Sequence, residues 1–285
     1  MMRKLKDDVL LCLIYLAAFF AEFLLIGILV YVFVKGFPHI SLHFLTTVTS
    51  VLEGTVGIAG NLVNTIYMVV LTLVIAVPVG IGSAIYLNEY ARPGKMVRLI
   101  EFTTQTLSGI PSIIFGLFGM VFFGVTLGLG YSILTGAFTL SLMVLPLITR
   151  NTQEALKTVP ESYRSGAIGM GAGKWYVIRT ILLPSAMPGI MTGIVLAVGR
   201  ILGESAALLF TAGSGYFLPR SLGGWFHKMV ESGGTLTIQL YLSMEKAQYD
   251  IAFGIAAVLL CMVFCMNLLT GLLSNKLGDT TDGRG

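Results

Sequence analysis

The feature that most constrains this chain is a run from Phe102 to Thr149 that contains no charged residue. It is long enough for two membrane crossings of about 20 residues each. Gly124, Gly128 and Gly130 offer the turn between the two crossings, which predicts a tight helical hairpin. Only 11% of all residues are charged, against roughly a quarter in soluble domains. The sequence therefore predicts an all-α membrane protein that crosses the bilayer repeatedly.

Hydropathy divides the whole chain, residues 1–285, into one transmembrane domain with six predicted helices. The predicted spans are residues 9–34, 62–87, 102–123, 131–150, 185–210 and 251–273. Arg150 is expected to close the fourth helix, and a polar loop over residues 151–184 is expected to follow it. The first apolar run is too long for the core of a signal peptide and is expected to remain as a helix.

The placement of lysine and arginine predicts the orientation. If the N-terminus is cytoplasmic, the external loops hold only Lys35, Arg220, Lys228 and Lys246. The remaining basic residues, apart from Arg200 within a span, then lie in cytoplasmic segments, as the positive-inside rule requires. Both termini and the loop over residues 151–184 are therefore predicted to be cytoplasmic. Basic residues confined to loops beside spans give no support for nucleic-acid binding.

The segment from Tyr163 to Pro184 is the most unusual loop, because glycines interrupt two short helical patterns. Its GMGAGKWY string superficially suggests a phosphate-binding loop. A Walker A motif, however, needs glycine at the position of Ile168 and Ser or Thr at the position of Trp175. We therefore expect no nucleotide site in this chain. No metal or other cofactor is expected either, because the pair His39 and His43 has no third ligand nearby. Any ATP with its magnesium would be bound and hydrolysed by another subunit, so the chain is expected to be a transport subunit and not an enzyme.

The same segment resembles the cytoplasmic signature of the permeases of ATP-binding cassette (ABC) importers. The matching positions are Ala167, Gly171, Ile181, Leu183 and Pro184, whereas Ser165 and Gly166 stand where that family usually has Glu and Ala. The resemblance implies a type I importer permease architecture and a short coupling helix that docks on the ATPase. The residues implied in this contact are Ser165, Gly166, Ala167, Ile168, Gly169, Met170, Gly171 and Ala172.

Further runs resemble the permeases of phosphate-specific ABC importers, and among them the A-type chain. These runs are IGSAIYLNEYA from Ile81, GIPSIIFGLFG from Gly109 and RILGESAALLFTAG from Arg200. The resemblance implies import of inorganic phosphate across a bacterial or archaeal plasma membrane. It also implies a homologous C-type permease chain, an ATPase dimer and an external phosphate-binding protein as partners.

Charged residues in or beside the predicted spans are candidates for the substrate pathway. Arg200 and Glu204 lie within the fifth predicted helix at a spacing of i and i+4, where they are expected to pair. An arginine within the membrane is costly, and its guanidinium suits phosphate oxygens. The resemblance implies the same pair and also Arg150, for which the alternative is a topology anchor. For the Arg200–Glu204 pair the alternative is a structural role in fixing the helix.

Other functions remain open at this level. A permease for another oxyanion, such as sulfate or molybdate, would carry the same cytoplasmic signature. An ion-coupled secondary transporter would use acidic residues such as Glu22 and Glu204 for protons and would need no ATPase. Glu22, near the middle of the first predicted span, is expected to contact a neighbouring helix or subunit, with a ligand contact as the alternative.

Overall fold

The computed structural model describes residues 2–50, 55–92, 94–219 and 222–282, and nearly all of these lie in helices. The helices are α1 (Met2–Gly36), α2 (Leu42–Thr46), α3 (Ala59–Ile85), α4 (Lys95–Ser108), α5 (Ser112–Gly119), α6 (Ile133–Thr158), α7 (Glu161–Gly169), α8 (Lys174–Val177), α9 (Leu183–Leu202), α10 (Ala206–Thr211), α11 (Leu222–His227), α12 (Leu236–Glu245) and α13 (Tyr249–Asp282). Single-turn 3-10 helices lie at Phe37–His39 and Lys228–Val230. A small antiparallel hairpin joins β1 (Val48–Ser50) to β2 (Thr55–Ile58), with Val48 opposite Ile58.

Several helices continue through π-helical turns, in which the backbone hydrogen bond skips one residue more than in an α-helix. These segments are Tyr86–Tyr90 after α3, Met120–Thr126 after α5, and Ile178–Leu182 between α8 and α9. Continuous spans therefore run over Ala59–Tyr90 and Lys174–Leu202. The π segment Ile178–Leu182 lies within the polar loop predicted over residues 151–184, so the fifth span begins at Lys174 and not near residue 185.

Within the described ranges, five helices are long and apolar enough to cross a membrane. A sixth crossing requires α4 and the segment from Ser112 to Thr126 together, and these two are bent by 103°. The predicted third span over residues 102–123 is thus not one straight helix. Pro111 explains the break, because it disfavours a helical conformation at Ile110 and lacks the N–H of a helical hydrogen bond. The helix α4 is amphipathic and buries none of its residues.

The core of the bundle lies between α3, α6 and α9, and α3 with α6 is the most extensive helix pair. Buried apolar side chains from these three helices fill it, among them Met68, Ala76, Leu140, Val144, Ile148 and Val198. The helix α1 packs mainly on α13 and is exposed over most of its length. Glu22 lies on this exposed surface, so the neighbour predicted for it is not supplied by the described part of this chain.

The close approach of α3 and α6 depends on a small residue at their crossing. A Cβ atom placed on Gly80 would lie 2.7 Å from Cγ2 of Ile148, nearer than packed side chains allow. We expect Gly80→Leu to force the helices apart and to destabilise the fold by about 1–3 kcal/mol, lowering Tm in detergent. Gly82→Leu is the matched control, because nothing lies within 4 Å of a Cβ atom at Gly82. Equal Tm values for both variants would contradict this packing.

Candidate functional site

A cavity of about 740 Å³ opens between α4, α6, α9 and the π segment Tyr86–Tyr90. On α6 its wall runs from Met143 to Lys157, or about 21 Å of helix at 1.5 Å per residue. Apolar residues such as Phe115 and Leu196 form part of the lining. The polar lining residues are Glu101, Thr104, Gln105, Ser108, Arg150, Asn151, Gln153, Glu154, Lys157 and Arg200. The cavity is therefore a long cleft with a mixed polar and apolar lining and both charge signs in its wall.

Two of the residues predicted from the sequence, Arg150 and Arg200, line this one cavity although they lie on different helices. The prediction that Arg150 closes its helix is wrong, because α6 continues for two further turns to Thr158. The added turns bring Glu154 onto the same face, where its Oε1 lies 3.1 Å from Nε of Arg150. Both side chains are well exposed to the cavity, so the pair is open to exchange with a solute anion.

The predicted pair between Arg200 and Glu204 is wrong, since α9 ends at Leu202 and the chain leaves the helical path at Gly203. Glu204 is buried, and its Oε1 accepts a hydrogen bond from the N–H of Ala207 at 3.1 Å. Its backbone carbonyl accepts a hydrogen bond of 2.7 Å from Oγ1 of Thr237. Glu204 thus fastens the break between α9 and α10. Arg200 has no ion-pair partner among the described residues, and its guanidinium is left to the cavity.

The formal charges of the lining favour an anion only slightly. Arg150, Lys157 and Arg200 stand against Glu101 and Glu154. The mixed charges suit a site that admits an anion and also releases it. Sequence reasoning missed Glu154 and Lys157, although their spacings of four and seven residues from Arg150 place all three on one helical face. The signal was lost because the span was expected to end at Arg150.

The predicted coupling segment comprises the second half of α7 and the turn after it. The N–H of Ala172 donates to the carbonyl of Ala167 at 3.0 Å, and that of Gly171 to the carbonyl of Ile168 at 2.9 Å. These bonds form a Schellman motif, with Gly171 in the left-handed region at φ +87. Ala167 is buried, whereas Ile168 and Met170 are 56% and 85% exposed. The turn therefore presents two apolar side chains outward.

An ion pair attaches α7 to the end of the second span, and sequence reasoning did not anticipate it. Nη2 of Arg164 donates to Oε1 of Glu89 at 2.9 Å and to the carbonyl of Leu156, at the end of α6, at 3.1 Å. Nη1 donates to Oε2 of Glu161, one turn earlier in α7, at 2.8 Å. Burial disfavours the charge of Arg164, but its bonds and attraction to Glu161 and Glu89 outweigh this and raise its pKa. Arg164 therefore stays charged at every physiological pH.

Helix α8, on the other side of the turn, is also bonded to Glu89. Nζ of Lys174, the first residue of α8, donates to the backbone carbonyl of Glu89. The same ammonium lies 4.8 Å from the ring centroid of Tyr90, within the range of a cation–π contact. Nδ2 of Asn88 donates to Oε1 of Glu89 at 2.7 Å and holds that carboxylate in place. Helices α7 and α8 thus both contact the π segment Tyr86–Tyr90.

Comparison with known proteins identifies a family whose model matches most of this chain and several proteins with similar sequences. A family described as "Binding-protein-dependent transport system inner membrane component" matches residues 76–279. A probable ABC transporter permease protein, YqgI of Bacillus subtilis, is 37% identical over 75% of this chain and 72% of its own length. The phosphate transport system permease protein PstA of Haemophilus influenzae is 33% identical over 95% of this chain and 94% of its own length. PstA of Pasteurella multocida is 36% identical over 78% of this chain and 79% of its own length.

Solved structures share the fold at low sequence identity. A chain of a bacterial alginate ABC transporter, in complex with a periplasmic protein bound to alginate pentasaccharide, matches with a TM-score of 0.69 at 17% identity, over 98% of each chain. A chain of the inward-facing MetNI methionine ABC transporter matches with a TM-score of 0.57 at 21% identity, over 78% of this chain and 94% of the other. The helical arrangement is therefore that of the type I importer permeases.

Proposed function

Because the chain belongs to the family of binding-protein-dependent transport system inner membrane components, we propose that it is the membrane-spanning permease subunit of an ATP-driven phosphate importer. Relatives called phosphate transport system permease protein PstA support the choice of substrate, since they align over most of the chain. The fold of the solved ABC importer chains agrees with this role.

The observation that carries the proposal is that Arg150 and Arg200 line the same cavity between α4, α6 and α9. A guanidinium offers paired N–H donors that match two oxygens of a phosphate group. Arg200 is free to bind directly, whereas Glu154 engages Nε of Arg150 and leaves the Nη groups of that guanidinium for the anion. The negative charge of Glu154 beside the site keeps binding weak, as release to the far side requires.

In the proposed assembly, the chain pairs with a homologous C-type permease chain and is served by an external phosphate-binding protein. Two ATPase subunits bind and hydrolyse ATP with magnesium, and they dock on the exposed turn around Ile168 and Met170. The chain itself carries no catalytic site in this proposal. It lies in a bacterial inner membrane with both termini and the α7–α8 loop in the cytoplasm.

Uptake of radiolabelled phosphate by the reconstituted complete importer tests this function. We expect uptake that needs ATP and that a large excess of sulfate or molybdate does not reduce. Vesicles with an ATPase subunit whose Walker A lysine is replaced serve as the control and should show background uptake only.

The competing functions give different results. Strong inhibition by sulfate or molybdate would contradict phosphate as the substrate while leaving an oxyanion importer. Uptake that continues with the inactive ATPase and follows an imposed proton gradient would instead indicate a secondary transporter.

A further inference from the structure

We infer that Glu89 is a positioning residue for the coupling of ATP hydrolysis to transport. Through Arg164 it fixes the α7–α8 loop, meaning α7, α8 and the turn between them, to the wall of the substrate cavity. This inference rests on the proposed function, because it assumes that the ATPase moves the α7–α8 loop. No chemical step is involved; Glu89 acts by holding other groups in place.

The first support is that both halves of the loop are bonded to Glu89 and not only to each other. The side chain of Glu89 receives Arg164 from α7, and its backbone carbonyl receives Lys174 from α8. The Schellman turn at Gly171 holds the two helices together between these attachments. The loop is therefore connected to one short segment at two points, and a displacement of its tip must act on that segment.

The second support is the burial of the ion pair. The side chains of Glu89 and Arg164 are only 9% and 18% exposed. A pair at the protein surface contributes little because solvent screens it, whereas removing one partner of a buried pair leaves an uncompensated charge. The Arg164–Glu161 pair provides the contrast, since Glu161 is 76% exposed and both residues belong to α7.

The third support is the position of Glu89 relative to the cavity. Leu87, two residues earlier in the same π segment, lines the cavity that also holds Arg150 and Arg200. Arg164 also binds the carbonyl of Leu156, near the cavity-lining residue Lys157 of α6. Movement of α7 is thus passed to two walls of the cavity by one side chain. Because the lining residue Leu87 lies only two positions before Glu89, no other helix is needed to carry the movement to the cavity.

The test compares phosphate uptake per ATP hydrolysed in proteoliposomes that contain the complete importer. We expect Glu89→Gln and Arg164→Gln to lower this ratio at least about fivefold, the lower end of usual coupling between sites. Glu161→Gln is the matched control and should keep the ratio, because it removes a partner of Arg164 without separating α7 from the π segment. The exchanged pair Glu89→Arg with Arg164→Glu should recover only part of the ratio, because a carboxylate at position 164 cannot donate to the carbonyl of Leu156 and is repelled by Glu161.

A second measurement reports the attachment without any substrate. Spin labels are placed at Ile168 and Tyr86, both exposed, in a background without Cys12, Cys261 and Cys265. The distance distribution between the labels should be narrow in the parent protein and in Glu161→Gln, and broad in Glu89→Gln.

The outcomes separate this inference from the proposed function. An unchanged uptake ratio in Glu89→Gln would overturn the inference, and so would an equal fall in uptake and hydrolysis, which indicates a structural role only. A narrow distance distribution in Glu89→Gln would overturn it as well. If the parent importer takes up no phosphate, the proposed function fails, and the distance measurement still tests the attachment.

Discussion

Replacing Arg200 by glutamine is expected to reduce phosphate uptake by the complete importer at least about tenfold, with normal amounts of protein in the membrane. Hydrogen bonds to charged groups contribute about 1.5–3 kcal/mol each, and a factor of ten corresponds to about 1.4 kcal/mol. Arg200 lines the cavity without an ion-pair partner in the described structure, so no protein bond is lost with it. Removing a charge from a membrane span also favours insertion. Initial uptake rates at subsaturating phosphate measure the effect.

The matched control is Arg179→Gln, which removes the same charge from an exposed position of the same span outside the cavity. Uptake by this variant should stay close to that of the parent protein. Arg150→Gln should lie between the two, since Glu154 already offsets part of the charge of Arg150. Normal uptake by Arg200→Gln at normal membrane levels would remove Arg200 from the pathway and leave it a structural role.

Replacing Gly171 by aspartate is expected to nearly abolish phosphate uptake while ATP hydrolysis by the importer continues. Gly171 adopts φ +87, and the left-handed region costs a residue with a side chain up to roughly 1–2 kcal/mol, with aspartate near the lower end of that range. The variant therefore disfavours the Schellman turn that sets α7 against α8 and presents Ile168 and Met170. Uptake and hydrolysis measured in the same vesicles should show loss of the first and persistence of the second.

Gly173→Asp is the control for this substitution, because it adds the same charge two residues away without backbone strain. Gly173 has φ −68 at the N-cap of α8, where aspartate is a favoured residue. We expect uptake to be nearly normal in this variant. Equal losses in both variants would mean that the added charge acts at the ATPase surface and that the turn does not matter.

Much of the site was predictable because its determinants are local in the sequence. Charge-free runs of span length indicate membrane helices, and a lone arginine in such a run stands out without any structure. Gly171 likewise belonged to a recognisable loop pattern, although only the structure distinguishes it, with its positive φ, from Gly169 and Gly173. The exposed apolar tip of the turn follows from that local geometry.

Other features of the fold and of the site were not predictable, because they depend on where helices break and on contacts between residues far apart in the sequence. The i, i+4 spacing of Arg200 and Glu204 implies a pair only if the helix continues, and it ends at Leu202. Pro111 offered a signal for the break between α4 and α5, which hydropathy over the whole run concealed. The ion pair of Glu89 with Arg164 joins residues far apart in the chain, and no periodic pattern indicates it.

The mixed charge of the cavity wall has a consequence for anions of similar size and shape. Glu101 and Glu154 lie in the lining with the basic residues, and an ionised carboxylate only accepts hydrogen bonds. Phosphate at neutral pH retains an O–H that can donate to such an oxygen, whereas sulfate has lost all of its protons. If phosphate binds in this cavity as proposed, a sulfate ion beside Glu154 is expected to meet repulsion where hydrogen phosphate would form a bond. We therefore expect the wall to distinguish the two oxyanions by the presence of a single proton.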